Sequence, residues 1–327
     1  MKPMDLLNLL SLTLRAAVSP EAAVLALAAV GLNLHYGHTG LLNFGQAGFM
    51  MMGAYGLAIG VLLLGLSFAG GVVLGLMFAV LLALLLGVPT VRLRADYFAI
   101  VSLAVTESLR LLFRSSWMQP ITGGVQGLQR FGDGFFAWNP IPAGTYELGP
   151  LHWNEAQLFL CIIAWSLVVA ATLFVRILIA SPWGRVIRAI RDNELGPTSL
   201  GKPVLLYKMQ SLVIGGLIGA VAGVLLAVNQ QDVNPETYMP TLTFFAYSGL
   251  VLGGVGRTWA PLIGVAIFWM VIAATDGILA AAGGFFPWIG AQQIGAARFI
   301  LFGIGLMLLV IYRPDGLFVK KGLQRGA

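Results

Sequence analysis

The sequence predicts an all-α, polytopic membrane protein, and three observations carry that reading. Hydrophobic residues make up 58% of the 327 residues and charged ones only 10%, where a soluble domain carries about 25% charged residues. The mean hydropathy is +0.89. The apolar runs are long and continuous, whereas an outer-membrane barrel would alternate in segments of roughly ten residues. We expect about 8–10 transmembrane helices in a single domain over 1–327, one of them broken or re-entrant near 37–48.

The opening, MKPMDLLNLLSLTLRAAVSP, has no apolar core long enough for a signal peptide and no small-residue cleavage site. Leucines at helical spacing over 4–18, flanked by Asp5 and Arg15, predict an interfacial amphipathic helix. Nine apolar segments follow, at about 22–36, 44–65, 66–90, 97–113, 156–179, 209–228, 241–256, 260–281 and 292–312. Uncharged throughout, Met209 to Val228 would rise about 30 Å as a helix, one hydrocarbon thickness.

The stretch Gly37 to Tyr55 interrupts this plain pattern. It carries Gly37, Gly40, Gly45, Gly48 and Gly53, with polar side chains at His38, Thr39, Asn43 and Gln46. Backbone amides in lipid need internal partners, so glycine-rich irregular chain is tolerated only against protein or a water-filled cavity. One reading is a broken helix that lines a path, with His38, Thr39, Asn43, Gly45, Gln46 and Gly48 along it. A helix starting inside the membrane has unpaired first amides, which a ligand carboxylate or the side chains of Asn43 and Gln46 would satisfy. The other reading is a short loop followed by a glycine-packed helix. Gly75 is expected to face lipid.

Lys and Arg in the connections set the orientation. Arg176, Arg185, Arg188, Arg191, Lys202 and Lys208 fall in one connection, Arg313, Lys320, Lys321 and Arg325 in the tail, Arg92 and Arg94 before one segment and Arg257 between two others. The stretch 115–155 has only Arg130, and 229–240 has Asp232 and Glu236 but no basic residue. The basic connections therefore share one side, the cytoplasmic one, together with the C-terminus. The net charge of +6 belongs to this membrane pattern and not to a nucleic-acid surface. The 115–155 stretch, with Trp117, Trp138, Tyr146 and Trp153, reads as an external cap.

In the basic connection at about 180–208, Ser181 is placed to cap a helix whose first residue is Pro182. Arg185, Arg188 and Arg191 then recur on one face, and Arg188 with Asp192, and Arg191 with Glu194, stand at ion-pairing spacing. A short charged helix ending before Gly201 suits docking to a cytoplasmic partner, and equally a solvated positive-inside loop. Glu107 with Arg110, and Asp276 with Arg298, are intramembrane charges, each couple readable as a structural ion pair or as a polar outer gate. No catalytic set appears. His35, His38 and His152 are too scattered for a metal, the lone Cys161 precludes an internal disulfide, and no phosphate-loop motif is present.

Six motifs in order resemble the permease subunit of branched-chain amino-acid ABC importers, the LivH/LivM type, and LivM more closely. They are Gly40 to Phe49 continuing to Gly53-Ala54-Tyr55; Tyr97 to Leu103 with Glu107 to Leu111; Ile121-Thr122-Gly123-Gly124 with Gly127-Leu128; Gly184-Arg185 through Arg188 to Glu194 and on to Leu200-Gly201; Gly253-Gly254-Val255-Gly256 with Pro261 and Gly264; and Tyr312 to Phe318. The likeness implies a multi-pass subunit of the bacterial cytoplasmic (inner) membrane that moves branched-chain or related amino acids. It implies a second homologous permease, two cytoplasmic ATPases and an external binding protein as partners, with membrane lipid around them. No cofactor is bound by this chain; ATP and Mg are used by the ATPases. Gly184, Arg185, Arg188, Arg191, Glu194 and Gly201 then belong to the ATPase-coupling loop. Departures are Leu195-Gly196-Pro197, Pro203, and Arg257 after the GGxG turn. A urea or short-amide cargo, or an ion-coupled secondary transporter, are the alternatives.

Overall fold

In the computed structural model, which describes residues 6–90, 95–148, 151–283, 300, 303–305, 307 and 311–312, Ser19 and Pro20 divide the first apolar stretch. α1 (Leu6–Val18) ends there, and Ser19 Oγ accepts the Ala22 amide at 3.1 Å to open α2 (Pro20–Leu32). The two helices bend by 45° and together are apolar enough for one span. A π-helical turn, Asn33–Thr39, extends α2 until Gly40, whose φ of +78° suits only glycine without strain. Residues 41–45 carry no helix, and α3 (Gln46–Leu62) then runs back. The broken segment near 37–48 is therefore present.

α4 (Phe68–Thr90) and α5 (Ala95–Arg114) complete the first half. The expected cap folds into small pieces: α6 (Gln119–Thr122), β1 (Leu128–Gln129), α7 (Asp133–Phe136) and an antiparallel hairpin of β2 (Thr145–Leu148) and β3 (Leu151–Asn154). Phe131 and Phe135 are buried, and the Phe135 ring lies 5.1 Å from that of Phe159. Trp117 and Trp138 are exposed, whereas Trp153 is buried. α8 (Glu155–Ala180) carries the chain to the opposite end of the bundle, where α9 (Pro182–Asp192) and α10 (Leu195–Ser199) lie. α11 (Val204–Gln230) returns to the cap, and β4 (Asp232–Val233) pairs there with β1, Val233 opposite Leu128. A 3-10 turn, Pro235–Tyr238, leads into α12 (Pro240–Gly253), followed by α13 (Ala260–Gly283). The described residues from 300 to 312 are helical.

Four helices are long and apolar enough to cross a membrane, Phe68–Pro89, Glu155–Ala180, Val204–Gln230 and Ala260–Gly277, and the bent pair makes up to five among the described residues. α3 and α12 are apolar but only 17 and 14 residues long. α3 is short because its start lies inside the bundle. α5 carries Asp96, Glu107, Arg110 and Arg114, and this weakens its apolar signal.

α11 is the axis of the fold. Its span is 78% buried, against 39% for α4, α8 and α13. Small residues let α2, α3 and α4 approach closely, as helices in lipid require. A Cβ on Gly53 would stand 2.2 Å from Ala220 O. Gly75 is not lipid-facing: a Cβ there would stand 2.4 Å from Gly53 O, so α3 and α4 meet at this glycine. α1 packs along α13.

Candidate functional site

The break between the π turn and α3 gathers most of the buried polar groups. Gln46 Nε2 donates to Ala28 O at 3.4 Å and Gly215 O at 3.2 Å, both far from the ends of their helices, so α3 begins well inside the bundle. Much of the irregular backbone finds side-chain partners from other helices, as chain buried in a membrane bundle requires. Phe44 N–H donates to Ser102 Oγ at 3.0 Å, Gly45 N–H to Asn43 Oδ1 at 2.8 Å, and Ala47 N–H to Thr243 Oγ1 at 2.9 Å. Thr106 Oγ1 donates to Gly45 O at 3.3 Å and Tyr247 OH to Asn43 O at 3.0 Å. α5 and α12 thus clamp the break from two sides.

The side chains form one directional chain. Leu212 O can only accept, so His35 Nε2 carries the proton in their 3.2 Å bond, and Nδ1 accepts from Asn43 Nδ2 at 3.2 Å. Asn43 Nδ2 also faces Gln46 Oε1 at 3.4 Å. Thr39 Oγ1 lies 2.6 Å from Ser211 Oγ. Asn43 and Gln46 are fully buried. Of the side chains expected to take amides at the start of α3, Asn43 takes that of Gly45, while Thr243 takes that of Ala47 and Gly45 O that of Gly48. Gly45 and Gly48 have a packing reason. A Cβ on either would stand 2.7 Å from Thr106 Oγ1.

At the other end of the π turn, α9 makes contact. Arg191 Nη1 donates to Gly37 O. Asn33 Nδ2 donates to Arg257 O at 2.8 Å and Asn33 Oδ1 accepts the Gly256 amide at 2.9 Å, which binds the GGxG turn to the same π turn. The left-handed Gly256, φ +82°, has Arg191 Nη1 and Gly37 O at 3.1 Å from a built Cβ. Ile187 and Ile190 bury the inner face of α9, and Arg185 and Asp192 are exposed.

The helix spacing misleads about charge pairs. Neither Arg188–Asp192 nor Arg191–Glu194 forms. Arg191 is drawn to Gly37 O, and Glu194 pairs with the buried Lys208 of α11. Ser181 precedes Pro182 as expected, but its Oγ donates back to Leu178 O at 2.6 Å and does not cap α9. Gly184 is a contact glycine, its Cβ position 2.2 Å from Ile179 O, and Gly201 adopts φ +69°. Pro197 is buried in α10 and Pro203 precedes α11, so neither proline cuts α9 short.

At the cap end, Glu107 and Arg110 pair at 2.6 Å. Glu236 joins them, 3.2 Å from Arg110 and 3.1 Å from Arg114, and so ties α5 to the turn before α12. Asp276 lies half-buried on α13, and Arg298 falls outside the described residues. Ser102, Thr106, Ser211, Thr243 and Tyr247 escaped sequence reasoning because isolated hydroxyls in apolar helices carry no spacing signal. Asn33 and His35 stood beside the glycine-rich stretch, and their burial in a polar hub depends on the π turn.

The chain matches the family described as branched-chain amino acid transport system, permease component, over residues 16–312. It is 28% identical over 317 residues to the high-affinity branched-chain amino acid transport system permease protein LivM of Escherichia coli K12, covering 91% of this chain and 70% of that protein. A probable LivM of Methanocaldococcus jannaschii is 26% identical, with 89% of each chain covered. The ribose import permease protein RbsC of Bacillus subtilis is 28% identical over 70% of each. A bundle of apolar helices with a hydrogen-bonded break at its heart is thus a transport subunit and not an enzyme, and the chain belongs to the branched-chain amino acid transport permease family.

Proposed function

We propose that this chain is one permease of an ABC importer in the bacterial inner membrane, carrying branched-chain or related amino acids. In this reading it pairs with a second homologous permease, two cytoplasmic ATPases and an external binding protein. The α9 end and the C-terminus face the cytoplasm, and the 115–155 cap faces out. α9, with Gly184, Arg185, Arg188, Arg191, Glu194 and Gly201 in or beside it, is the element on which an ATPase docks. ATP and its Mg belong to those partners.

The observation that carries the proposal is the bond from Arg191 to Gly37 O. It joins the docking helix to the π turn, and the π turn leads through Gly40 into the break at 41–45. A tilt of α9 therefore pulls on the break, and α5 and α12 hold the break shut through side-chain hydroxyls that can re-pair. Such a two-state packing is what alternating access needs. Once α5 and α12 part, His38, Thr39, Asn43, Gly45, Gln46 and Gly48 line a polar path fit for a zwitterion.

Arg191→Ala tests the linkage. The assembled importer should keep its ATPase subunits and hydrolyse ATP, yet lose most substrate uptake, with Arg191→Lys intermediate. Uptake at wild-type level in Arg191→Ala would refute the coupling route through the π turn. Loss of the ATPase subunits on purification would show that Arg191 serves docking alone.

A further inference from the structure

A cavity of about 510 Å³ opens beside α9, at the end of the bundle away from the cap. Its wall carries three arginines, Arg176 from α8, Arg188 from α9 and Arg257 from the GGxG turn, beside the imidazole of His38 from the π turn. It also carries the apolar side chains of Ile179, Trp259 and Ile263. No acidic side chain lines it among the described residues. The first residue of α13, Ala260, is also in the wall, so the positive end of a helix dipole faces the cavity. His38 is 4% exposed, and its Nε2 has no hydrogen-bond partner among the described residues. A polar atom left unpaired inside a packed bundle costs stability, which a ligand with acceptor or donor atoms would recover. Trp259 and Ile263 are themselves substantially exposed, so the apolar lining continues onto the outer surface of the bundle.

We infer that this cavity is a binding site for the phosphate headgroup of an anionic phospholipid. The phosphate meets Arg176 and Arg188, whose planar forks suit two oxygens. The glycerol backbone reaches towards His38, and the acyl chains leave along Ile179, Trp259 and Ile263. A free phosphate would satisfy the arginines but leave the apolar side chains uncovered. Basic pockets between transmembrane helices near the membrane surface hold lipid headgroups on the same physical grounds. The site touches α9 and the π turn at once, so a bound lipid braces the junction that Arg191 makes. The inference rests on the membrane placement of the bundle and not on the coupling role of α9.

The test is native mass spectrometry of the full chain, purified without partner subunits from phosphatidylcholine nanodiscs that contain phosphatidylglycerol. The wild type should retain a phosphatidylglycerol adduct. Arg176→Gln and Arg188→Gln should each weaken it about fivefold, the weight of one basic residue near an anionic surface. Arg185→Gln, an exposed arginine of the same helix outside the cavity, should leave it intact. Arg188→Lys should keep most of the adduct, which separates lost charge from lost fold. Inorganic phosphate added in excess should not displace the lipid. Equal loss in Arg185→Gln and Arg188→Gln would overturn the site in favour of general surface attraction. Displacement by inorganic phosphate would overturn the lipid assignment in favour of a free anion, and no retained adduct in the wild type would overturn it outright.

Discussion

Gly45 and Gly48 illustrate what a single missing carbon does here. Any side chain at either position meets Thr106 of α5, and at Gly45 also the carbonyl of Ser102 at 2.8 Å. Valine at 45 must push α5 away from the break, and overpacking of that kind costs about 1–3 kcal/mol. Gly45→Val should abolish uptake of a radiolabelled branched-chain amino acid while the protein still inserts. Gly144→Val, at a position where a Cβ meets nothing within 4 Å among the described residues, is the control and should transport normally. At Gly48 the obstacle is the Thr106 side chain alone, so Gly48→Ala should be rescued in part by Thr106→Ala. No rescue would place the damage elsewhere than at the α3–α5 contact. The glycine spacing was legible in the sequence. The partner was not, because Thr106 lies fifty-eight positions beyond Gly48 and looks like any threonine in an apolar helix.

At the scale of the element, the break from Gly40 to Gln46 is closed in this structure, held by side chains of α5 and α12. Single cysteines at 43 to 48, in a Cys161→Ser background, report whether it opens. Cys161 donates to Val18 O, and serine keeps that donor. Labelling from the aqueous side should be absent at rest and appear when binding protein and ATP are added to the assembled importer. Silence in every state would mean that the polar hub only holds helices together. α9 teaches the complementary lesson. Its start at Pro182 follows from local chemistry, and the sequence showed it. Its ion pairs do not, since a charge on a short helix chooses among everything within reach. Lys208, buried on α11, needs a carboxylate more than exposed Arg191 does, and it takes Glu194.

For the whole molecule, the relevant contact is the charge cluster that closes the cap end. Arg110 is almost buried between Glu107 and Glu236, and Glu236 belongs to the turn that aims α12 at the break. Arg110→Met leaves Glu107 without its partner while Glu236 keeps Arg114, and should lower stability by about 1 kcal/mol, the worth of a partly exposed charge pair. Glu236→Gln should cost less. In a thermal-melting cycle the double variant should be more stable than the sum of the single losses implies, because one interaction is removed in both. Strict additivity would show that Arg110 and Glu236 act independently and that the cap is not fastened to α12 through them.

Composition and apolar run length were enough to specify a helical membrane bundle and most of its helix positions. The physical reason is that lipid imposes one local rule, that each segment must pair its own backbone within an apolar surface. The same rule made the glycine-rich stretch at 37–48 stand out as an exception. Which residues rescue that exception was decided only by the tertiary structure. Ser102, Thr243 and Tyr247 come from helices far along the chain, and the π turn that turns His35 and Asn33 inward has no signature of its own. Long-range hydrogen bonds depend on which helix faces meet, and that is settled by close packing of small residues around α11 rather than by any local pattern.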